Sequence, residues 1–198
     1  MKKLIKILFC FILIASVLCT MPAYANYNAV YEKSLTDSGD NSIYAQIYLL
    51  VNLDNDTVIF EKDADKQAAP ASLTKIMTAT VVLENCKDLD EEVEASYEAI
   101  HLLDGTGSSI VGLEPGEKMS IKNLLYCLLV RSGNDAANVL AMHVGGSIEG
   151  FVKMMNDKAA ALGCKNTHFA NVHGLDDPNH YTTARDLMTI TKHALTLP

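Results

Sequence analysis

The sequence predicts an α+β fold in which a single β-hairpin leads into a block of helices. Two stretches predict the hairpin. Residues 43–52 and 57–61 are rich in Ile, Leu, Val, Tyr and Phe, and they flank Leu53-Asp54-Asn55-Asp56, which is turn chemistry. The helices are predicted by apolar residues that recur with a period near 3.6 from residue 73 onward. No internal repeat or low-complexity linker divides the chain.

The first 25 residues are a different kind of sequence. Lys2, Lys3 and Lys6 form a basic start, residues 7–18 are an apolar run, and Ala23-Tyr24-Ala25 is a small-x-small cleavage site. This is the pattern of a secretory signal peptide cleaved near Ala25, and the run is short for a membrane span. Cys19 follows Leu18, where lipid attachment needs a small residue. Export to the extracytoplasmic side of the membrane is therefore expected. Residues 26–41 are polar and mixed, and read as a leader. The domain is expected over residues 42–198.

After the hairpin, residues 62–69 form a polar connection to Pro70. The next helix carries Ser72 and Lys75 in its first turn. Leu73, Ile76, Met77 and Val81 make one apolar stripe, yet Ala79, Val82 and Leu83 lie off it. A helix apolar around its circumference is usually buried. Asp88, Asp90, Glu91, Glu92 and Glu94 read as a solvated surface segment. Residues 108–111 suggest a short strand, and Pro115-Gly116 a turn. Ser120 caps a helix with its stripe at Ile121, Leu124, Leu125, Leu128 and Leu129. Ser132-Gly133 stops it, and Asn134-Asp135 starts another that ends near Gly145. Ser147 caps a helix carrying Phe151, Met154, Met155 and Leu162, ended by Gly163. Residues 166–181 form a long polar loop, and Thr182 or Thr183 caps the last helix. A two-stranded sheet is marginal in water by itself, so the helices must cover one face of the hairpin.

Composition bounds the function. The 198 residues carry 16 basic and 24 acidic side chains, a net charge of −8. Without the three signal lysines the balance is thirteen against 24, about −11. So acidic a chain is a poor binder of nucleic acid by charge alone. Cys86, Cys127 and Cys164 remain beyond the signal, an odd number with no metal-knuckle spacing. Cys127 falls in an apolar helix pattern and is expected as a buried thiol, and a disulfide between the other two is not indicated. The six histidines form no H-E-x-x-H, so metal catalysis and a metal site are not expected. Residues 105–109 lack the Lys and third Gly of a phosphate loop. Residues 54–56 lack the Gly and distal Glu of a calcium loop.

The chemistry gathers at Ser72 and Lys75. At i and i+3 both side chains share a helical face. Burial disfavours a charged lysine, and a neutral amine beside a hydroxyl is a general base beside a nucleophile. The bland alternative is a serine cap and a lysine that snorkels to water. Ser132-Gly133-Asn134 is the second feature. Its tight interhelical loop can project a hydroxyl and an amide into a cleft, although Gly133 and Asn134 also suit a helix stop and a helix cap.

S-x-x-K opening a buried helix after a hairpin, followed by S-x-N in a helix–helix loop, resembles the low-molecular-weight penicillin-binding proteins, the serine D-Ala-D-Ala carboxypeptidases of the peptidase S11 family. The likeness extends to Pro70-Ala71-Ser72-Leu73-Thr74-Lys75-Ile76-Met77, Leu113-Glu114-Pro115-Gly116-Glu117, Ser132-Gly133-Asn134-Asp135-Ala136-Ala137 and Gly174-Leu175-Asp176-Asp177-Pro178-Asn179-His180-Tyr181. It implies a β-lactamase/transpeptidase-like fold and a cofactor-free acyl-enzyme mechanism. Ser72 would be the nucleophile, Lys75 its base and Ser132 a proton relay. Asn134 and Gly133 would be substrate-binding, with Asn134 bonded to Lys75 or the substrate amide. The implied partners are a peptidoglycan stem peptide and β-lactams. The family's third motif, K-T-G, is not in this sequence. The chain is therefore expected to be the N-terminal portion of the catalytic domain, and by itself nearly inactive. The resemblance places the remaining strands, and a C-terminal membrane-surface anchor, beyond it. The alternatives are a β-lactamase-related hydrolase and a non-catalytic cell-wall-binding or degenerate paralogue. No convincing Glu for deacylation stands in residues 166–181, where Asp176-Asp177 occur instead.

Overall fold

The computed structural model describes residues 45–198. The expected signal peptide and leader, and the start of the expected first strand, lie outside the described residues. Strands β1 (Tyr48–Asn52) and β2 (Thr57–Lys62) form the antiparallel hairpin. Asn52 and Asn55 close its turn by accepting from the backbone N–H groups of Asp54 and Thr57, the Asx pattern expected there. The register slips by one residue at Ile59, a bulge.

Helix α1 (Thr74–Asn85) is the hub. Thr74, Lys75, Met77, Thr78, Ala79, Thr80, Val81 and Val82 are all buried, as its all-round apolar pattern implies. Around it pack α3 (Ile121–Val130), α4 (Asn134–Gly145), α5 (Ile148–Ala161) and α6 (Ala184–Ala194). Ser120, Ser147 and Thr183 cap α3, α5 and α6 as expected, each accepting from a backbone N–H three residues on. Gly146 and Gly163 end α4 and α5 with φ of 72° and 79°. Helix α6 packs on β1 and covers one face of the hairpin, while Leu50, Val58 and Ile59 stay exposed. Arg185 on α6 ties the hairpin down by pairing with Glu61 and Asp65.

Several expectations fail. The acidic segment is more than a solvated surface. Glu92–Glu94 is strand β3, paired with β4 (Lys118–Ser120) in a second ribbon, with Val93 turned inward between its two acids. Ser96 caps a five-residue helix α2 (Tyr97–His101). Both features are too short for a period to register. Residues 108–111 are not a strand: the Val111 N–H goes to the Asp135 carboxylate and the Ser109 carbonyl accepts from the Asn134 N–H, with no ladder partner. Cys127 is only half-buried, and Cys86, Cys127 and Cys164 are all free thiols.

The core runs through Met77, Val82, Leu124, Leu128, Leu140, Phe151, Met155 and Phe169, none more than 1% exposed. Phe151 joins α5 to it. Phe151→Ala should lower the unfolding free energy by about 3–5 kcal/mol. A urea titration would show this as a lower midpoint at an unchanged slope.

Candidate active site

A single 3-10 turn, Ala71–Leu73, precedes α1 and carries Ser72. The sequence placed Ser72 within the α-helix itself. In a 3-10 turn i and i+3 also overlie, so the pairing with Lys75 survives. The bland alternative does not. No side chain caps α1, and Ser72 Oγ is not spent on a helix N–H. Instead it lies 3.2 Å from Lys75 Nζ and accepts a hydrogen bond from Ser132 Oγ at 3.0 Å.

Lys75 does not snorkel. It is 2% exposed, and among the described residues no carboxylate pairs with it. Nζ donates to the His173 carbonyl at 2.8 Å. Burial without a counter-charge pushes its pKa down from 10.5 to about 8. A usable fraction of neutral amine therefore exists near neutral pH, beside a hydroxyl. The same burial, with the Lys75 charge beside it, holds the His173 ring down to about 4, so that ring is neutral.

The loop of residues 166–181 is zipped to α1. Thr78 Oγ1 donates to the Val172 carbonyl at 2.6 Å. Thr74 Oγ1 and His180 Nε2 are 2.7 Å apart, and His180 Nδ1 accepts from the Ala170 N–H. Gly174, with φ of 95°, lies against the Ala71–Ser72 peptide. A Cβ there would stand 1.9 Å from the Ala71 carbonyl oxygen. Only glycine fits both the conformation and the contact.

Ser132 sits at the α3–α4 junction with φ of 57°, an unusual value for serine. Its neighbours fix it. Gly133 N–H donates to the Cys127 carbonyl and Asn134 N–H to the Ser109 carbonyl. Asp135, 2% exposed, accepts from the N–H groups of Val111, Gly112 and Leu113. This nest holds residues 111–113, at the end of the strand expected over 108–111. The Gly133 carbonyl accepts from the Ala137 N–H. A Cβ on it would meet Asp135 Oδ1 at 2.9 Å, so its smallness serves packing. Asn134 is buried and makes no hydrogen bond to Lys75. Its Oδ1 has no partner, a cost unless a ligand meets it.

Ser72, Lys75 and Ser132 line one cleft of about 420 Å³ with Leu73, Leu128 and Leu129 as its apolar wall. The structure thus brings the three expected catalytic side chains together, while Asn134, two residues after Ser132, is buried with an acceptor to spare. The sequence did not single out Asp135, Asn171 or the His173 carbonyl. Gly174 stood only inside a resembling stretch. The six histidines drew attention as metal ligands, yet what His173 supplies is its backbone, which residue type does not reveal.

The buried lysine makes stability depend on pH. Between pH 8 and 10.5 the unfolded chain holds the proton that the folded chain has lost, so stability rises with pH there. Between pH 7 and 10 the wild type should gain about 2–3 kcal/mol of unfolding free energy relative to Lys75→Met. Paired urea titrations at the two pH values check it.

Comparison with known proteins places this geometry. The family model for D-alanyl-D-alanine carboxypeptidase, peptidase S11, matches residues 33–197. The carboxypeptidase DacF of Bacillus subtilis is 38% identical over 155 residues, covering 76% of this chain and 39% of that protein. The crystal structure of DacD from Francisella tularensis superposes with a TM-score of 0.70 at 36% identity, over 76% of this chain and 36% of that one. The Streptomyces K15 DD-transpeptidase gives 0.71 at 34%, over 76% and 60%. The chain spans about 39% of the length of curated relatives such as DacF. The fold is transpeptidase-like, as the motifs implied. The chain belongs to the peptidase S11 family of serine D-alanyl-D-alanine carboxypeptidases.

Proposed function

We propose that Ser72 is the nucleophile of a D-Ala-D-Ala carboxypeptidase acting on peptidoglycan stem peptides outside the cytoplasmic membrane. One observation carries the reading. Ser72 Oγ is within hydrogen-bond reach of both a desolvated, unpaired lysine and a second hydroxyl. Lys75, as the neutral amine, takes the Ser72 proton while Oγ attacks the carbonyl of the terminal D-Ala–D-Ala bond. The tetrahedral oxyanion collapses, the C–N bond breaks, and the leaving amine takes a proton through Ser132. Free D-Ala departs. Water then hydrolyses the ester and restores Ser72. The orphaned Asn134 Oδ1 suits a substrate amide N–H. A β-lactam would acylate the same oxygen by ring opening.

The loop of residues 166–181 supports long-lived acylation over β-lactamase turnover. Asp176 and Asp177 are both exposed, and the Asp177 carboxylate accepts from the Asn179 N–H. Export rests on the signal pattern of residues 1–25 alone.

The Ser72 N–H would be one oxyanion donor. The resemblance assigns the second to the strand bearing K-T-G, and loss of one such donor costs roughly 10²–10³ in rate. These 198 residues, expressed as they stand, should therefore take up little or no fluorescent penicillin. Robust labelling that disappears in Ser72→Ala would overturn the expected inactivity while supporting the nucleophile. Robust labelling that persists in Ser72→Ala would overturn the nucleophile itself.

A further inference from the structure

Three hydrogen bonds of one side chain fasten the turn of residues 171–175 from within. Asn171 Oδ1 accepts from the Gly174 N–H at 2.7 Å and from the His173 N–H at 3.3 Å. Asn171 Nδ2 donates to the Leu175 carbonyl at 2.8 Å. The only other tie within the turn is the long Leu175 N–H to His173 Nδ1 contact at 3.3 Å. This same turn presents two things to the site: the His173 carbonyl, 2.8 Å from Lys75 Nζ, and Gly174, pressed on the Ala71–Ser72 peptide.

We propose that Asn171 is a positioning residue for the catalytic base: by closing the turn it aims the His173 carbonyl at Lys75 and keeps water from the amine. A carbonyl can only accept, so it fixes one N–H of a neutral Lys75 amine. Ser72 Oγ already accepts from Ser132, which leaves the Ser72 proton for the amine's lone pair. Asn171 touches none of the reacting atoms. It acts through the backbone it holds.

The groups facing Lys75 make the inference readable by pH. Ser72 and Ser132 carry no charge at neutral pH. His173 is held neutral, with its pKa near 4. His180 is bonded to Thr74 and the Ala170 N–H. Asp135 on α4 is engaged by backbone N–H groups. Loosening the turn admits water to Nζ and relieves the burial that holds the Lys75 pKa near 8, so its midpoint rises toward 10.5. Each unit of rise lowers the neutral fraction below the midpoint about tenfold.

The inference rests on reading Lys75 as the base, and the test does not depend on acylation. Lysine Cε is labelled with ¹³C in this chain, the Lys75 signal is assigned by its loss in Lys75→Met, and its titration midpoint is measured. Asn171→Ala should raise the midpoint by about one unit or more. Asn171→Ser, whose hydroxyl can still accept in such a turn, should fall between the two. Asn156 is the control, because it holds the same loop further away through both backbone groups of Phe169. Asn156→Ala should lower the melting temperature and leave the Lys75 midpoint in place. An unmoved midpoint in Asn171→Ala, or an equal rise in Asn156→Ala, would overturn the proposal. So would a wild-type midpoint at the ordinary 10.5. If Asn171→Ala does not fold, an unmoved midpoint in Asn171→Ser overturns it instead. Failure of Ser72 to acylate would leave these midpoints intact, and so would be told apart.

Discussion

The structure depends on keeping one amine dry. Lys75 lies on the central helix, 2% exposed, with a hydroxyl and a backbone carbonyl as partners and, among the described residues, no carboxylate. An ion pair would stabilise the ammonium and raise its pKa, which would deplete the neutral amine. A carbonyl accepts the N–H while bringing no net charge. This explains why the loop of residues 166–181 is tied so closely to α1. Thr74, Lys75 and Thr78 each contact it, and Gly174 is packed on the Ala71–Ser72 peptide. Take the loop away and the burial goes with it.

The hydroxyls are held with equal care from the other side. Ala71 and Ser132 flank the cleft at φ of 49° and 57°. Such values cost of order 1–3 kcal/mol each and persist only where surroundings over-determine them. For Ser132 the surroundings are identifiable. The carbonyls of Cys127 and Ser109 hold the two residues after it, and the Asp135 nest pins residues 111–113 alongside. Asp135 also stands in the first turn of α4, where a negative charge suits the helix dipole. A buried carboxylate that meets only N–H donors lends rigidity without offering Lys75 a counter-ion.

Much of this was legible in residue order. Ser72 and Lys75 could be paired because i and i+3 coincide in an α-helix and in a 3-10 turn alike, so the wrong helix type did no harm. The long helices were legible through their stripes and Ser or Thr caps. The β3–β4 ribbon was not, because three residues such as Glu92-Val93-Glu94 carry too little alternation to stand out from an acidic run. Residues 108–111 read as a short strand, yet the Val111 N–H is taken by a carboxylate 24 positions later, which no local pattern announces. The His173 carbonyl was illegible in principle, since any residue could supply it. Asn171 could have been noticed, because Asn two to three residues before a Gly is turn chemistry.

The central claim is that burial of Lys75 activates Ser72. The direct measurement is the rate of Ser72 modification by a small fluorophosphonate against pH, followed by peptide mapping. Such a probe needs little of a substrate's docking surface. The neutral fraction of Lys75 grows with pH up to its midpoint, so the rate should rise about tenfold per unit below pH 8 and level off above it. It should vanish in Lys75→Met. A rate that climbs only near pH 10.5, that ignores the lysine, or that maps to another serine would contradict the account.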